Sequence, residues 1–317
     1  MFNSVNEPAI LLRIEKLIHT LIHRGYRDET LVIELVEIIE SFRLCYREEY
    51  YYSPFIRDFI KVWTLIDVLC TEMQSINLYY VISKNLTDIR AALTCNYRLS
   101  VQEIQNYRLQ EVKNTESLRE YLSNLFNHYA RLLVVRVDLK YDKDIRGQIS
   151  FELFSQHMEV LRNRISNKDG CFKGIEGFAW ALEQGADLGG YHCHLLLLYQ
   201  GADHQNGFRL GKMVEAKWQE ITRGETKSQD NTQEIGKAFV INNYQYLKRF
   251  EANNTIGVGM VYRDDPHSVH CAIATALYLT RPEKLDQYLR VKLSESQKTF
   301  GTGQYRTRYR RGLKKDS

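Results

Sequence analysis

The first third of the chain repeats apolar residues at the three- and four-residue spacing of amphipathic helices. One repeat covers residues 10–22, and Gly25 follows it at a place where a helix can end. A second repeat covers residues 27–49 with acidic residues in its first turn, and a third begins at Pro54. These segments predict a helical N-terminal region whose apolar residues form the core of a bundle.

The spacing changes near residue 130, where strand-like and helix-like segments begin to alternate. Four segments are rich in apolar or β-branched residues, or alternate at period two, and are predicted strands: 131–141, 176–184, 191–200 and 255–263. Three segments have helical spacing: 150–166, 207–222 and 266–281. Gly185, Gly189 and Gly190 lie between the second and third strands, so we expect these strands to form a hairpin.

This order of elements predicts an α+β fold with an antiparallel, ferredoxin-like sheet and helices on one face, preceded by an all-helical region. We predict three parts: a helical N-terminal domain of residues 1–122, a second domain of residues 123–300, and a basic C-terminal tail of residues 301–317.

The net charge of +4 is small, but it is unevenly distributed. Residues 298–315 contain seven Lys or Arg and no Asp or Glu, a composition that attracts phosphate and is equally typical of a solvated terminus. The candidate DNA-binding residues of this tail are Arg306, Arg308, Arg310, Arg311, Lys314 and Lys315.

Several classes of protein are disfavoured by composition. The six cysteines have neither zinc-ribbon spacing nor the density of a disulfide scaffold. We find no signal peptide and no apolar run of about 20 residues, and therefore expect a cytoplasmic protein with free thiols and no membrane span.

The strongest chemical feature is His192-Cys193-His194 at the start of the third predicted strand. Residues two apart in a strand point to the same face, so the two imidazoles would project side by side. Glu183 lies nine residues earlier, at a distance at which a hairpin brings its carboxylate beside them. Two imidazoles and one carboxylate form a plausible divalent-metal site; the alternative is two polar residues on a solvated strand face.

Tyr278 and Arg281 lie in the last predicted helix, three residues apart and so on one face. Beside a metal-bound phosphate, a tyrosine hydroxyl can attack phosphorus, and a fixed cation can bind phosphate. The chain has 21 tyrosines, most of which we expect to be packing residues. We interpret His267, His270 and Tyr288 as packing residues as well.

With a hydrophobic strand, Glu183, the His192/His194 pair and a helical tyrosine, the chain resembles the HUH endonucleases, with Cys193 between the two histidines. The blocks "WALEQGADLGGYHCHLLLLYQG" and "ATALYLTR" are similar to those of prophage-encoded replication proteins of the inovirus gene-two type. The resemblance covers about residues 125–300.

The resemblance implies a five-stranded antiparallel, RRM-like sheet and cleavage of single-stranded DNA with Mg²⁺ or Mn²⁺. It implies that His192, His194 and Glu183 are metal ligands. Tyr278 would be the nucleophile that keeps the 5′ phosphate during rolling-circle replication of a phage-like element. The family's lysine three residues after the tyrosine is Arg281 here, and Lys284 is a second candidate for its role.

Two other hypotheses remain open on the sequence. One is a relaxase or transposase with the same chemistry, and the other is a DNA-binding regulator that keeps the fold without cleavage. The helical N-terminal region could bind duplex origin DNA, form a dimer, contact a host helicase or serve as structural support. The oligomeric state is left open.

Overall fold

The fold was examined in a computed structural model, which describes residues 5–185, 190–223, 235–251, 253–281 and 287–305. The N-terminal part is helical, as its apolar spacing predicts. Its elements are α1 (Glu7–His23), α2 (Asp28–Cys45), the short strand β1 (Tyr51–Tyr52), α3 (Pro54–Glu72), α4 (Leu78–Lys84), α5 (Leu86–Thr94) and α6 (Tyr97–His128).

Local chemistry sets the two ends of α1. The Asn6 side chain accepts a hydrogen bond from the Ala9 amide at 3.1 Å, which satisfies one free N–H at the start of the helix. Gly25, two residues past the end, has a φ of +74°, a backbone conformation that glycine adopts without strain.

The remaining elements alternate between strands and helices. They are β2 (Arg131–Tyr141), α7 (Phe151–Ser166), β3 (Ile175–Gln184), β4 (Tyr191–Gln200), α8 (Gly207–Arg223), β5 (Gly236–Val240), α9 (Tyr244–Glu251), β6 (Gly259–Tyr262), α10 (Pro266–Leu277), β7 (Val291–Lys292) and β8 (Phe300–Thr302). The predicted strand 255–263 is shorter than expected, and the predicted helix 266–281 ends in a 3₁₀ turn over Tyr278–Thr280.

Within the described segments, six strands form one antiparallel sheet in the order β5-β2-β4-β3-β8, with β6 pairing on the same edge of β2 as β5. The predicted hairpin is confirmed: β3 and β4 pair along their length, and the Gly185 amide donates to the Gly190 carbonyl at 3.4 Å. Gly189 lies outside the described residues. β1 and β7 form a separate two-stranded sheet.

Helices pack on both faces of the large sheet, which differs from the expectation of one covered face. On the first face, Val135 and Leu197 share a core with Phe154 of α7 and Trp218 of α8. On the second face, apolar residues of β2 and β4 pack with α6 and α10, and the polar residues of the candidate site share this face. The mixed helix and antiparallel-sheet architecture is therefore established, with more helical cover than the sequence indicated.

The first-face core continues without a break into α1, α2 and α3. The predicted domain limit at residue 122 lies inside α6, a helix of 32 residues that runs from the N-terminal helices to the sheet. No helix in the described ranges is both long and apolar enough to cross a membrane.

Candidate metal and tyrosine site

The β3–β4 hairpin aligns three side chains on the second face of the sheet. Glu183 pairs directly with His192, and Ala181 with His194, so the carboxylate stands opposite one imidazole and beside the other. The alternation of β4 explains the arrangement, because Tyr191, Cys193 and Leu195 point into the opposite core.

The ligand atoms of these residues converge. Glu183 Oε2 lies 3.1 Å from His194 Nε2 and 3.4 Å from His192 Nε2. Ligand atoms about 2.1 Å from one cation lie about 3.0 Å apart in octahedral geometry and about 3.4 Å apart in tetrahedral geometry. The group Glu183, His192 and His194 thus has the separations of a set that could hold a metal ion.

Both imidazoles direct Nε2 towards Glu183 and use Nδ1 elsewhere. His194 Nδ1 lies 2.6 Å from Asp138 Oδ1, and His192 Nδ1 lies 3.4 Å from the Gly190 carbonyl. An imidazole that donates through Nδ1–H keeps a lone pair on Nε2, which is the form that binds a metal. The hydrogen bonds at Nδ1 of each ring therefore favour a lone pair on the Nε2 atom that faces Glu183.

Asp138 and Arg136 belong to this site and were missed from the sequence. Both lie on β2, two residues apart, and Asp138 pairs directly with His194 of β4. An Arg136 guanidinium nitrogen lies 3.4 Å from Asp138 Oδ1. The signal that could have identified them is the spacing in "RLLVVRVDLKY", where Arg136 and Asp138 follow Leu132 and Val134 on the face that β4 and its histidines share.

The charges in this cluster are strongly coupled. Burial acts to raise the pKa of Asp138, but the hydrogen bond to His194 and the nearby positive charges lower it below its ordinary value. Burial acts to lower the pKa of His194, but hydrogen bonds to Asp138 and Glu183 raise it. In the absence of a cation, a proton on His194 stabilises the two carboxylates, and a bound cation would replace that proton.

Tyr278 lies on the same side of the sheet as the histidines. Its ring centroid is 5.8 Å from that of His194, with the planes at 79°. The guanidinium carbon of Arg136 is 4.5 Å from the centre of the Tyr278 ring, and that of the exposed Arg281 is 5.5 Å from it. The structure therefore brings together the four residues that the sequence singled out, Glu183, His192, His194 and Tyr278, with Arg281 at the edge.

The 3₁₀ turn that carries Tyr278 is fixed to α6. The Thr115 hydroxyl lies 2.8 Å from the Thr280 carbonyl oxygen and 2.9 Å from the Thr280 hydroxyl. Thr280 is buried, two residues after the tyrosine. The position of Tyr278 thus depends on a helix that begins among the N-terminal helices.

Of the other residues considered from the sequence, the exposed His270 lines a cavity next to Tyr278. The remaining ones lie apart from the cluster or outside the described segments. His267 Nε2 contacts the Asn254 carbonyl at 2.7 Å, and the Tyr288 hydroxyl contacts Glu15. The Tyr288 contact fits the packing interpretation, whereas His267 and His270 are exposed. Lys284 and the predicted DNA-binding residues fall outside the described residues, the latter being Arg306, Arg308, Arg310, Arg311, Lys314 and Lys315.

Comparison with known families gives one match. The model of the family described as the YagK/YfjJ C-terminal domain matches residues 96–257, half of the 317-residue chain. The matched range contains the two histidines, Glu183 and Asp138, and stops before Tyr278. No curated protein and no solved structure matches the chain.

Proposed function

The chain belongs to the YagK/YfjJ C-terminal domain family, and we propose that it is a metal-dependent enzyme that nicks and rejoins single-stranded DNA through Tyr278. The observation that carries the proposal is the convergence of two imidazoles, one carboxylate and one tyrosine ring on the same face of the sheet. The resemblance to HUH endonucleases, noted from the sequence, joins these residue types to one reaction.

The donor set supports a divalent cation. Imidazole nitrogens favour transition metals, whereas carboxylate oxygens also suit Mg²⁺ and Mn²⁺, so the mixed set of His192, His194 and Glu183 favours Mn²⁺ over Mg²⁺. When bound there, such a cation supplies polarisation of a phosphoryl oxygen. Asp138 orients His194 through its Nδ1, as carboxylates commonly do behind metal-binding histidines.

In the proposed reaction, the Tyr278 oxygen attacks the phosphorus of a DNA phosphodiester. A bond forms between Tyr278 Oη and phosphorus, and the bond from phosphorus to the 3′ oxygen breaks. The tyrosine proton passes to solvent, and the departing 3′ oxygen takes up a proton. The 5′ phosphate remains on the tyrosine, and the free 3′ hydroxyl can be extended or can reverse the step.

Arg136 is the cation best placed to bind the reacting phosphate. It is buried, faces the Tyr278 ring, and its Nε has no hydrogen-bond partner among the described residues. A guanidinium in this position would compensate charge that develops on the phosphate oxygens. Arg281, which is exposed beside the same ring, would supply a second positive charge at the entrance.

The finer parts of the proposal come from the sequence, namely from its order of elements, its basic tail and its resemblance to the HUH endonucleases. They are a ferredoxin-like HUH domain, initiation of rolling-circle replication of a phage-like element, and capture of DNA by the basic tail. We also propose that the reaction takes place in the cytoplasm, in keeping with six cysteines that form no disulfide.

The decisive experiment looks for a covalent DNA adduct. Purified protein is incubated with Mn²⁺ and labelled single-stranded DNA segments that together cover the genomic surroundings of its own gene. We expect an SDS-stable adduct on one segment, lost in Tyr278→Phe and in His192→Ala, and retained in the matched control Tyr262→Phe. An undiminished adduct in Tyr278→Phe would contradict the proposal.

Titration with Mn²⁺ separates this proposal from a DNA-binding regulator of the same fold. Calorimetry should show binding heat that disappears in the His192→Ala/His194→Ala double variant. Salt-sensitive DNA binding without that heat, and without any adduct, would favour the regulator.

A further inference from the structure

A second concave region adjoins the candidate site. β5, α9 and α10 border a cavity of about 510 Å³ whose lining includes Tyr278, Arg136 and Asp138. This volume is within the usual range of small-molecule sites, which is about 300–1,000 Å³. The cavity begins where Tyr278 and the buried Arg136 lie, and Arg281 also lines it. Its walls on β5 and α9 contain none of the residues predicted from the sequence.

Aromatic rings form the outer wall of this cavity. Phe239 pairs directly with Asp138 across β5 and β2, so its ring lies on the same face as the histidines. The Phe239 and Tyr246 ring centroids are 5.2 Å apart, and those of Tyr246 and Phe250 are 5.4 Å apart. Phe239 is 38% exposed and Phe250 is 36% exposed, so the wall presents apolar ring surface to solvent.

Helix α9, which contributes Tyr246 and Phe250 to this wall, contributes little buried surface to the core. None of the residues of α9 is buried, although three of its eight residues are aromatic. The Arg249 guanidinium carbon lies 5.9 Å from the ring centre of Tyr246, one of the wall rings. Lys248 Nζ lies 4.9 Å from the ring centre of Tyr244, which is on the same helix but outside the cavity lining. Aromatic residues interleaved with cations on an exposed helix are a typical surface for single-stranded nucleic acid.

The inner wall is closely packed and contains two arginines, Arg136 and Arg281, together with the Asp138 carboxylate. Gly257 approaches α10 so closely that a Cβ atom would lie 1.9 Å from Thr275 Oγ1, so this wall depends on glycine at that position. Arg136 is 7% exposed, lines the cavity, and has an unpartnered Nε. A planar apolar group thus meets rings on one side and a phosphate-binding cation on the other.

We infer that this cavity holds a nucleobase of the DNA strand next to the phosphate attacked by Tyr278, with the base against Phe239 and Phe250 and a phosphate near Arg136. The inference rests on the proposed function for the identity of the strand. Stacking on rings is tolerant of sequence, because every base has an aromatic face. The cavity would therefore position the strand and would contribute affinity that does not depend on the metal.

The test measures binding and requires no cleavage. In Tyr278→Phe protein with EDTA, fluorescence anisotropy compares an oligothymidylate of about twelve nucleotides with an abasic oligomer of the same length. We expect the oligothymidylate to bind about tenfold more tightly, since stacking contributes about 1–3 kcal/mol per base. Phe239→Ala/Phe250→Ala should remove that preference and leave binding of the abasic oligomer unchanged.

Two further variants complete the design. Ala274→Leu narrows the cavity without removing a ring and should also reduce the preference, since Ala274 is an exposed residue of α10 on the cavity wall. Tyr79→Ala, which removes a 44% exposed ring from α4, is the matched control and should preserve it. Equal or absent binding of the two oligomers would overturn the inference. If the wild-type protein forms no adduct in the Mn²⁺ assay, a preference for the oligothymidylate that is lost in Phe239→Ala/Phe250→Ala would still support the inference while the missing adduct contradicts the nicking proposal.

Discussion

His194 has contacts on every side of its ring. Nδ1 faces Asp138, Nε2 faces Glu183, and the ring edge approaches Tyr278. A carboxylate behind a metal-binding imidazole fixes its tautomer and increases its basicity. Asp138 therefore acts on a bound cation through His194, and its effect should be measurable without any DNA.

We expect Asp138→Asn to weaken Mn²⁺ binding by about 10- to 100-fold, because the amide retains the shape of the side chain but lacks its negative charge. Isothermal titration calorimetry at neutral pH measures the change. Asp144→Asn alters an exposed carboxylate shortly after the same strand and should leave the affinity unchanged. Equal affinities for Asp138→Asn and the control would show that His194 needs no such partner.

The candidate metal ligands were easier to identify from the sequence than the residues that contact them. His192, His194 and Glu183 were predictable because strand alternation and hairpin distance operate within one short segment. Asp138 and Arg136 lie more than 50 residues before the two histidines, and their place beside β4 depends on strand order, which a single sequence does not specify. The grouping of Tyr278 with them was supplied by the family resemblance.

The junction between β2 and α7 contains a second buried histidine. His157 Nδ1 lies 2.9 Å from the Tyr141 hydroxyl, and Nε2 has no partner among the described residues. Burial lowers the pKa of His157 to about 4, from an ordinary value near 6.5. The folded protein therefore holds this imidazole neutral where the unfolded chain would protonate it.

This difference predicts a pH-dependent stability. Between about pH 6.5 and pH 4, the unfolded state binds a proton that the folded state does not bind. The free energy of unfolding should therefore fall as the pH falls through this range, by up to about 3 kcal/mol. Above about pH 6.5, His157 should make no pH-dependent contribution to stability. Urea unfolding at several pH values measures this dependence. In His157→Gln, the free energy of unfolding should fall less steeply as the pH falls. The exposed His270→Gln should retain the wild-type slope, and equal slopes in all three proteins would contradict the assignment.

The long strands and helices of the sheet region were predictable, and most short elements were not, with the four-residue β6 as an exception. The segments of β2, β3, β4, α7 and α8 contain enough regularly spaced apolar residues to predict a strand or a helix. β8 has three residues and exists because Phe300 and Thr302 pair with β3, a contact distant in sequence. β5 is equally dependent on β2, and α9 buries none of its residues, so neither leaves a strong apolar repeat.

The N-terminal helices and the sheet share one core. Glu7 in α1 accepts hydrogen bonds from the Phe151 amide at 2.9 Å and the Tyr191 hydroxyl at 2.6 Å. The Gln184 side chain donates to the Pro8 carbonyl at 2.9 Å. These contacts fall across the predicted division at residue 122, and they favour cooperative unfolding of both parts.

Single-tryptophan proteins can test that coupling. Trp63 lies in α3 and Trp218 in α8, so variants that retain one or the other report on the two regions separately. In each single-tryptophan protein, we expect the urea midpoint from tryptophan fluorescence to coincide with the urea midpoint from circular dichroism. Glu7→Ala should lower the free energy of unfolding by about 1–3 kcal/mol in both, because it leaves buried donors unpaired. Separate fluorescence and dichroism transitions would indicate independent domains.

The hydrogen bonds between Thr115 and Thr280 link α6 directly to the turn that carries Tyr278. This helix spans 32 residues, starts among the N-terminal helices and ends at the first strand of the large sheet. A shift or tilt of α6 would therefore also move the turn that carries Tyr278. A partner that binds the N-terminal end of α6 would thereby shift Tyr278 relative to the histidines without contacting either.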